Sequence, residues 1–223
     1  MINLNNVTLC IVDCLNYENA SKAIIYCSHM CNISFANTIF LSDHNPKILE
    51  KYNVQYKNIK KINSSRDYSN FMIGQLHKYI ETDFMLVIQH DGIIYNPKKW
   101  TDDFLNYDYI GAPWCRCDSK NRYVGNGGFS LRSKKLMKYV SEKPFNQYFN
   151  RHEDSYICWD IADELEQKGF IFPDIHIASK FSTETETEFS DIESFGFHIP
   201  SLKDNIGNEK HKNFLKEIKN INY

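Results

Sequence analysis

The chain has 223 residues, and its 26 basic and 28 acidic side chains give a formal net charge of -2. This balance argues against nucleic-acid binding as the main role, because there is no cationic excess to neutralise phosphates. With 42% hydrophobic residues the chain is too rich in core-forming side chains for disorder. It also lacks the 18-residue apolar run of a membrane span and the basic, then apolar, start of a secretory leader. We therefore expect a globular cytoplasmic protein with no membrane span.

The seven cysteines are an odd number and are spread over apolar segments. The spacings from Cys10 to Cys14 and from Cys27 to Cys31 fall inside a strand-like run and a helix-like run, which is poor geometry for a zinc site. We predict free, buried thiols, as a reducing compartment allows.

Strand-like and helix-like segments alternate in the first half of the chain. The apolar run Val7–Val12 predicts a strand buried on both faces, and Glu18–Met30 carries apolar residues at the three- and four-residue spacing of an amphipathic helix. Further strands are predicted at Thr38–Leu41, Val54–Ile59 and Phe84–Gln89, with a helix at Tyr68–Tyr79. The alternation predicts an α/β fold with a central, mostly parallel sheet flanked by helices.

After Asp91 the apolar segments become shorter and turn residues more frequent. Short apolar segments that contain turn residues lie at Tyr109–Trp114 and Gly125–Arg132. Helices are predicted over Ser133–Tyr139 and Glu153–Gln167, and short strands at Phe170–Pro173 and Ile175–Ala178. Lys168 and Gly169 form a typical helix stop. From Lys203 the chain is polar, and the spacing of Leu215 and Ile218 predicts a peripheral helix.

The first candidate site is the end of the strand Phe84–Gln89, where Gln89, His90 and Asp91 follow one another. Ligands of open α/β sheets bind at the carboxyl ends of strands. A carboxylate there can hold a divalent cation that is shared with a phosphate group. The Asp91-Gly92 pair is also compatible with an ordinary turn.

A second candidate is the run Gly125, Asn126, Gly127 and Gly128, of which the last three residues are here called the glycine loop. Glycines allow a ligand to approach the main chain, and the Asn126 amide can hydrogen-bond a sugar hydroxyl or a phosphate. The loop matches neither the phosphate loop nor the dinucleotide fingerprint, so a hairpin turn is an equally good interpretation.

Two further candidates are the acidic pair Glu153 and Asp154, at a predicted helix start, and His198. Acidic residues in a first helical turn often only complement the helix dipole. Beside a sugar site, a carboxylate can instead act as the general base that deprotonates an acceptor hydroxyl. A neutral His198 imidazole can complete a metal site, although a histidine at the edge of the core is a simpler interpretation.

Taken in order, five segments resemble a family of GT-A-like glycosyltransferases of bacteria, phages and large DNA viruses, for which the third segment is the most typical. They are IQHDGIIYNPKKW, YDYIGAPW, VGNGGFSLRS, HEDSYICWD and FGFH. The resemblance is close from Phe84 to His198, whereas Met1 to Asp83 matches only the general nucleotide-binding half of the fold.

The resemblance implies a hexosyl- or deoxyhexosyltransferase that inverts the anomeric centre. The donor would be a nucleotide diphosphate sugar, with a UDP-sugar expected, and the acceptor a glycan or glycoprotein. Mn²⁺ or Mg²⁺ would be held by Asp91 and His198, although Gln89 replaces the first acid of the usual Asp-x-Asp motif. We expect one domain over residues 1–223, with a nucleotide-binding half (1–91), an acceptor half (92–200) and a tail (201–223). If the source is viral, the location would be the host cytoplasm.

The same resemblance assigns roles to individual residues. Asp154 would be the catalytic base, with Glu153 as its neighbour or substitute. Trp114 would stack on a sugar, and Asn126, Gly127 and Gly128 would line the sugar and acceptor cleft. The nucleotide and donor would contact Asp13, Asp43, Gln89, His90 and Asp91.

Two alternatives from other classes remain open. A non-catalytic glycan- or nucleotide-binding module on the same fold is favoured by Gln89 in place of the first acid. A metal-dependent nucleotidyltransferase ranks third, because the segment DCLNYEN after the first strand has neither a glycine-rich loop nor a Lys or Arg for a triphosphate.

Overall fold

The structure is a computed structural model that describes residues 1–114, 124–143, 151–185, 190–199 and 208–221. The strands are β1 Ile2–Val12, β2 Ile33–Ser42, β3 Gln55–Asn58, β4 Phe84–Ile88, β5 Gly92–Ile94, β6 Tyr109–Gly111, β7 Phe129–Ser133, β8 Ser182–Thr183 and β9 Gly196–His198. The helices are α1 Tyr17–Ile25, α2 Ile48–Lys51, α3 Ser65–Gly74, α4 Lys134–Ser141, α5 Glu153–Ser155, α6 Ala162–Gln167, α7 Ile175–Phe181 and α8 Glu209–Asn220.

The strands form two sheets, and the larger has the order β3-β2-β1-β4-β7-β6. In it β1 runs parallel to β2 and β4, and β2 runs parallel to β3, whereas β7 is antiparallel to both β4 and β6. A small sheet pairs β9 antiparallel with β5 and parallel with β8. The predicted fold class is therefore confirmed.

The larger sheet has a hydrophobic core on each face, because side chains alternate along its strands. Leu9 and Ile11 of β1 point to one core together with α1 and α8, and Cys10 and Val12 point to the other together with α3 and α4. This double burial explains why β1 reads as a continuous apolar run.

The long helices differ from the prediction in their regularity. The helix predicted over Glu18–Met30 is α1 followed by a π-helical turn at Tyr26–Met30. The one predicted over Glu153–Gln167 is divided into α5, a π-helical turn at Tyr156–Asp160 and α6, because Ile161 leaves helical backbone angles at φ -114° and ψ 7°. Gly169 ends the last piece as predicted, with a φ of +85°.

The strands predicted at Phe170–Pro173 and Ile175–Ala178 were wrong. The first segment is in no strand, and the second belongs to the helix α7. Asp174 explains the helix, because its carboxylate accepts hydrogen bonds at 2.8 and 2.9 Å from the backbone N–H groups of His176 and Ile177, as a helix N-cap does.

The tail helix α8 packs more tightly than a peripheral helix. Leu215 is fully buried in one core, and the Lys22 ammonium donates to the carbonyl of Lys219 near the end of α8. None of the helices in the described ranges has both the length and the apolar composition needed to cross a membrane.

The cysteine prediction is confirmed where the structure describes it. Cys10, Cys14, Cys27, Cys31 and Cys158 are free and buried. Cys115 and Cys117 lie outside the described residues.

Candidate active site

A cavity of about 610 Å³ opens at the carboxyl ends of β1 and β4. The two strands are parallel neighbours, so their ends meet at one edge of the sheet. The cavity is lined from four directions: by the turn after β1, the start of α3, the glycine loop before β7, and the residues around the start of α5. Glu184 and His198 complete the lining from the side of the small sheet.

Asp13 and His90 lie side by side where β1 and β4 end. The Asp13 Oδ2 is 3.3 Å from the His90 Nδ1, and its Oδ1 accepts hydrogen bonds from the backbone N–H groups of Leu15 and Asn16 at 2.8 and 2.6 Å. The carboxylate therefore fixes the turn that leaves β1 and also orients the His90 ring.

Asp91 and His198 are brought together by the pairing of β5 with β9, in which Gly92 lies opposite His198. The His198 Nε2 is 3.5 Å from the Asp91 Oδ1, the distance of an ion pair rather than of a hydrogen bond. That Asp91 oxygen is buried and has no hydrogen-bond partner in the described part of the chain. Burial alone would raise the pKa of Asp91, but the neighbouring His198 outweighs it and holds the pKa below its usual range.

Glu184 lies on the far side of the His198 ring and was not predicted. Its Oε1 is 3.0 Å from the His198 Nδ1 and accepts a hydrogen bond of 2.5 Å from the Asn126 amide. Although burial lowers it, the pKa of His198 is raised to about 10 by Asp91 and Glu184 on its two sides. Glu184 thus links the histidine to the glycine loop.

Asp91 and His198 fit part of a divalent-cation site. Asp91 provides one carboxylate oxygen that has no hydrogen bond among the described residues, and His198, which lines the cavity, provides one imidazole nitrogen 3.5 Å from it. Because the pKa of His198 is raised to about 10, a bound cation would have to displace a proton from this ring. Among the described residues no group of three or more His, Cys, Asp or Glu side chains has the arrangement of a complete site. A cation would therefore need further oxygen ligands, as Mg²⁺ commonly takes from substrate phosphates and water.

Close packing explains the glycines of the loop. A Cβ on Gly128 would lie 2.3 Å from the His198 ring, and a Cβ on Gly127 would lie 2.8 Å from the Glu153 carboxylate and 2.9 Å from the Arg132 guanidinium. The side-chain oxygen of Asn126, Oδ1, accepts a hydrogen bond of 3.0 Å from the Gly128 N–H. Substitution by any larger residue would separate the loop from the groups beneath it.

Glu153 and Asp154 are adjacent but differ in their surroundings. The Glu153 Oε1 lies 3.0 Å from the Arg132 Nη2 in a buried ion pair. The Asp154 Oδ2 accepts a hydrogen bond of 3.0 Å from the Gly127 N–H. Burial, and then the negative charge of Glu153, raise the pKa of Asp154 to about 6, against the opposing effect of its backbone hydrogen bonds and of Arg132.

The other predicted residues lie in different places. The Gln89 amide donates a hydrogen bond of 3.0 Å to the Tyr68 hydroxyl at the cavity wall. Trp114 packs edge-on against Trp159, with ring centroids 4.4 Å apart, and against Gly125; it does not line the cavity. Asp43 is exposed after β2 and is also outside the cavity lining. Their predicted ligand contacts stay predictions.

The fold and the position of this cavity define the protein as a GT-A-type α/β protein with a cleft at the carboxyl ends of its parallel strands. A family model described as "Protein of unknown function (DUF5672)" matches residues 51–198, and the chain belongs to that family. A comparison with curated proteins found no match by sequence.

Three solved structures with a similar fold are glycosyltransferases. A glycosyltransferase involved in the glycosylation of the major capsid of PBCV-1 superimposes with a TM-score of 0.53 at 11% identity, covering 95% of this chain and 98% of that one. Galactosyltransferase LgtC, in complex with donor and acceptor sugar analogues, gives a TM-score of 0.54 at 11% identity and 95% coverage of both chains. Apo GlyE of Streptococcus pneumoniae TIGR4 gives 0.53 at 10% identity, and the match covers 97% of this chain but 61% of GlyE. At these identities the likeness establishes the fold.

Proposed function

We propose that this protein is a glycosyltransferase that moves a hexosyl or deoxyhexosyl group from a nucleotide diphosphate sugar to a hydroxyl of a glycan or glycoprotein. The observation that carries the proposal is the meeting of His198, the glycine loop and Asp154 around one cavity on a GT-A fold, with Asp91 3.5 Å from His198 but outside the cavity lining. The proposal treats residues 1–223 as one domain, and the pairing of β4 with β7 supports this, because it joins the two predicted halves in one sheet.

The proposed donor is a UDP-sugar, bound with its nucleoside toward the end of β1. Asp13 faces this end of the cavity, and its hydrogen bonds to the turn hold the carboxylate in place before any ligand binds. Asp13 is thus better placed than Asp43 to accept a hydrogen bond from a ribose hydroxyl. The LgtC structure, which holds donor and acceptor sugar analogues on a similar fold, supports a sugar nucleotide as the ligand.

Asp91 and His198 are the residues that would hold Mn²⁺ or Mg²⁺ in the transferase. A bound cation supplies charge that stabilises the leaving diphosphate. The protein would contribute the Asp91 carboxylate and the His198 imidazole. The pairing of β5 with β9 brings these two side chains together, and Glu184 orients the imidazole. A histidine oriented by a carboxylate on its other nitrogen is a common feature of metal sites.

Asp154 is the proposed general base. A base works best when its pKa is close to the working pH, and the Asp154 pKa of about 6 is closer to neutrality than that of an exposed aspartate. In this role Asp154 takes the proton of the acceptor hydroxyl while the oxygen of that hydroxyl attacks the anomeric carbon. The nucleoside diphosphate leaves from the opposite face of the sugar. The reaction therefore inverts the anomeric centre, which NMR of the product can check.

The test begins with thermal unfolding in the presence of UDP-glucose, UDP-galactose, UDP-N-acetylglucosamine and GDP-mannose, with and without Mn²⁺. A ligand that binds only the folded state raises the midpoint. We expect one nucleotide sugar to raise it when Mn²⁺ is present, and Asp91→Ala to abolish the rise. Asp103→Asn removes an exposed carboxylate away from the cavity and is the matched control.

Turnover of that donor then tests the base. We expect Asp154→Asn to retain the donor-dependent midpoint rise and to lose on the order of 10²–10⁴-fold in turnover, the usual contribution of general base catalysis. A folded Asp154→Asn variant with normal turnover would remove Asp154 from the mechanism.

A second candidate is a glycan- or nucleotide-binding module without turnover. The observation in its favour is Gln89, since its amide is hydrogen-bonded to Tyr68 where the usual motif has an acid. Donor binding that is independent of Mn²⁺ and is followed by no release of nucleotide would favour this candidate.

A further inference from the structure

A fully buried arginine lies beneath the glycine loop. The Arg132 side chain is completely buried, and its Nη2 is 3.0 Å from the Glu153 Oε1 and 3.2 Å from the Gly127 carbonyl oxygen. Its Nε donates to the Ser130 hydroxyl at 2.9 Å, and its guanidinium lies over the Tyr109 ring at 5.0 Å. A buried charge is stable only when it is paired and hydrogen-bonded, so these contacts hold the guanidinium in one place.

The backbone of Gly127 is held on both sides of its Cα. Its carbonyl oxygen accepts hydrogen bonds from Arg132 Nη2 and from the Ser130 hydroxyl, the latter at 3.1 Å. Its N–H donates to the Asp154 Oδ2 at 3.0 Å. The position of Arg132 is therefore linked to the Asp154 carboxylate through the backbone of one residue, Gly127, whose C=O and N–H belong to consecutive peptide groups joined at its Cα.

Glu153 is held as firmly as Arg132. Its second carboxylate oxygen accepts a hydrogen bond of 3.3 Å from the Ser69 hydroxyl of α3, and that hydroxyl also accepts from the Glu153 N–H at 3.3 Å. With both oxygens occupied, Glu153 is the partner of Arg132 and of α3. Asp154, the next residue, bonds instead to the backbone N–H of Gly127 and of Ser155.

We propose that Arg132 and Glu153, here called the buried pair, are positioning residues that hold the backbone of Gly127 and thereby the carboxylate of Asp154 for proton transfer, without touching the substrate themselves. The proposal rests on the proposed function, because it concerns the same base. It also gives Glu153 a role different from that of a second catalytic acid.

The geometry requires an arginine rather than any cation. Nε and Nη2 serve three acceptors in different directions, which a planar guanidinium can do and a single lysine nitrogen cannot. Nη1 is buried and has no hydrogen-bond partner among the described residues, so the pair is not optimised for stability alone. Replacement of a buried ion pair by apolar residues of similar volume is often neutral or stabilising.

Two variants follow from this argument. Arg132→Lys keeps the positive charge but loses the planar guanidinium and its separate N–H donors. The double variant Arg132→Met/Glu153→Met removes the buried pair without leaving a buried unpaired charge. Arg151→Lys is the matched control, because the Arg151 side chain is half exposed. Unfolding midpoints identify any variant that fails to fold. If Arg132→Lys fails to fold, the double variant still tests the proposal.

The first readout follows the Gly127 N–H in the free protein. Asn126-Gly127 is the one Asn-Gly dipeptide in the sequence, so ¹³C-carbonyl Asn with ¹⁵N-Gly labelling gives a single NMR signal for this amide. Because this N–H donates to Asp154, its chemical shift in the wild type should follow the ionisation of that carboxyl. Glu153 and Arg132 are the charged side chains that most affect Asp154. We expect Arg151→Lys to match the wild type, and both other variants to lose most of the pH-dependent shift.

The second readout is the release of UDP from the UDP-sugar that the thermal screen selects. We expect kcat of the two variants to fall about 100-fold, the effect of a misplacement of about 1 Å, while the donor KM stays near that of the wild type. A folded variant with an unchanged Gly127 signal or an unchanged kcat overturns the proposal. If the wild type releases UDP from no donor while the Gly127 signal changes as expected, the proposed function is wrong, and the link between the buried pair and Asp154 stands.

Discussion

Gly127→Ala is the sharpest test of the packing under the glycine loop. The added methyl group would lie 2.8 Å from the Glu153 Oε1, 2.9 Å from the Arg132 Nη2 and 3.3 Å from the Asp154 Cβ. Distances below 3 Å require movement. The first two atoms are the ends of long side chains, but they are buried and joined to each other at 3.0 Å, so neither can swing into solvent.

The expected cost is that of overpacking a filled interior, about 1–3 kcal/mol in the free energy of unfolding. For a chain of this length, each kcal/mol lowers the melting temperature by roughly 2–4 °C. Urea unfolding followed by circular dichroism measures the free energy, and differential scanning calorimetry measures the temperature. We also expect turnover to fall, because the new methyl group moves the peptide that binds Asp154.

Gly74→Ala is the matched control for this experiment. Gly74 ends α3, and a Cβ there would meet nothing within 4 Å. Alanine in a helix is preferred to glycine by roughly 0.5–1 kcal/mol, so this variant should be slightly more stable than the wild type. If Gly127→Ala unfolds at the same urea concentration as the wild type, the tight packing described here is refuted.

Three further predictions concern the metal ligands, the proposed base and the thiols. Glu184→Ala should weaken Mn²⁺ binding about 10–100-fold, as measured by electron paramagnetic resonance, because it removes the carboxylate that orients His198; equal affinity would contradict this. Asp154→Asn should be more stable than the wild type at pH 7 but not at pH 4. The folded protein raises the pKa of Asp154 from 3.8 to about 6, so the wild type loses stability as the pH rises through this window; parallel stability curves for the two proteins would argue against that shift. Burial raises the pKa of Cys10 to about 12, so at pH 8 Ellman's reagent should modify this thiol only as the protein unfolds; rapid modification under native conditions would show that the strand is accessible.

The central sheet was predictable because its inner strands are buried on both faces. Such strands are continuous apolar runs: Val7–Val12 covers the last six residues of β1, and Phe84–Gln89 extends one residue beyond β4. The three residues of β5 and the two of β8 are too few to show a periodicity, so the small sheet could not be found in this way. Ile175–Ala178 has the β-branched residues of a strand, but the N-cap Asp174 decides the helix.

The ligand-binding edge was partly predictable, because strand ends in an α/β sheet converge wherever their sequences lie. This rule brings Asp13 and His90 together, and they are indeed in contact. Glu184 could not be singled out, since it is one of several glutamates in the segment TETETE, and only the fold shows which of them reaches His198. The burial of Arg132 could not be predicted from the sequence either, because its partner Glu153 lies 21 residues further along the chain.

Gln89 shows how a departure from the expected motif is accommodated. Its amide donates to the Tyr68 hydroxyl, so the position normally held by an acid is neutral and tied to α3. Asp13, Glu153, Asp154 and Glu184 already bring four carboxyl groups to the cavity. A fifth would add repulsion between like charges, whereas the amide adds none. In the proposed transferase, cation binding would then rest on Asp91 and His198, and Mn²⁺ dependence of donor binding is the observation that would separate a transferase from a binding module.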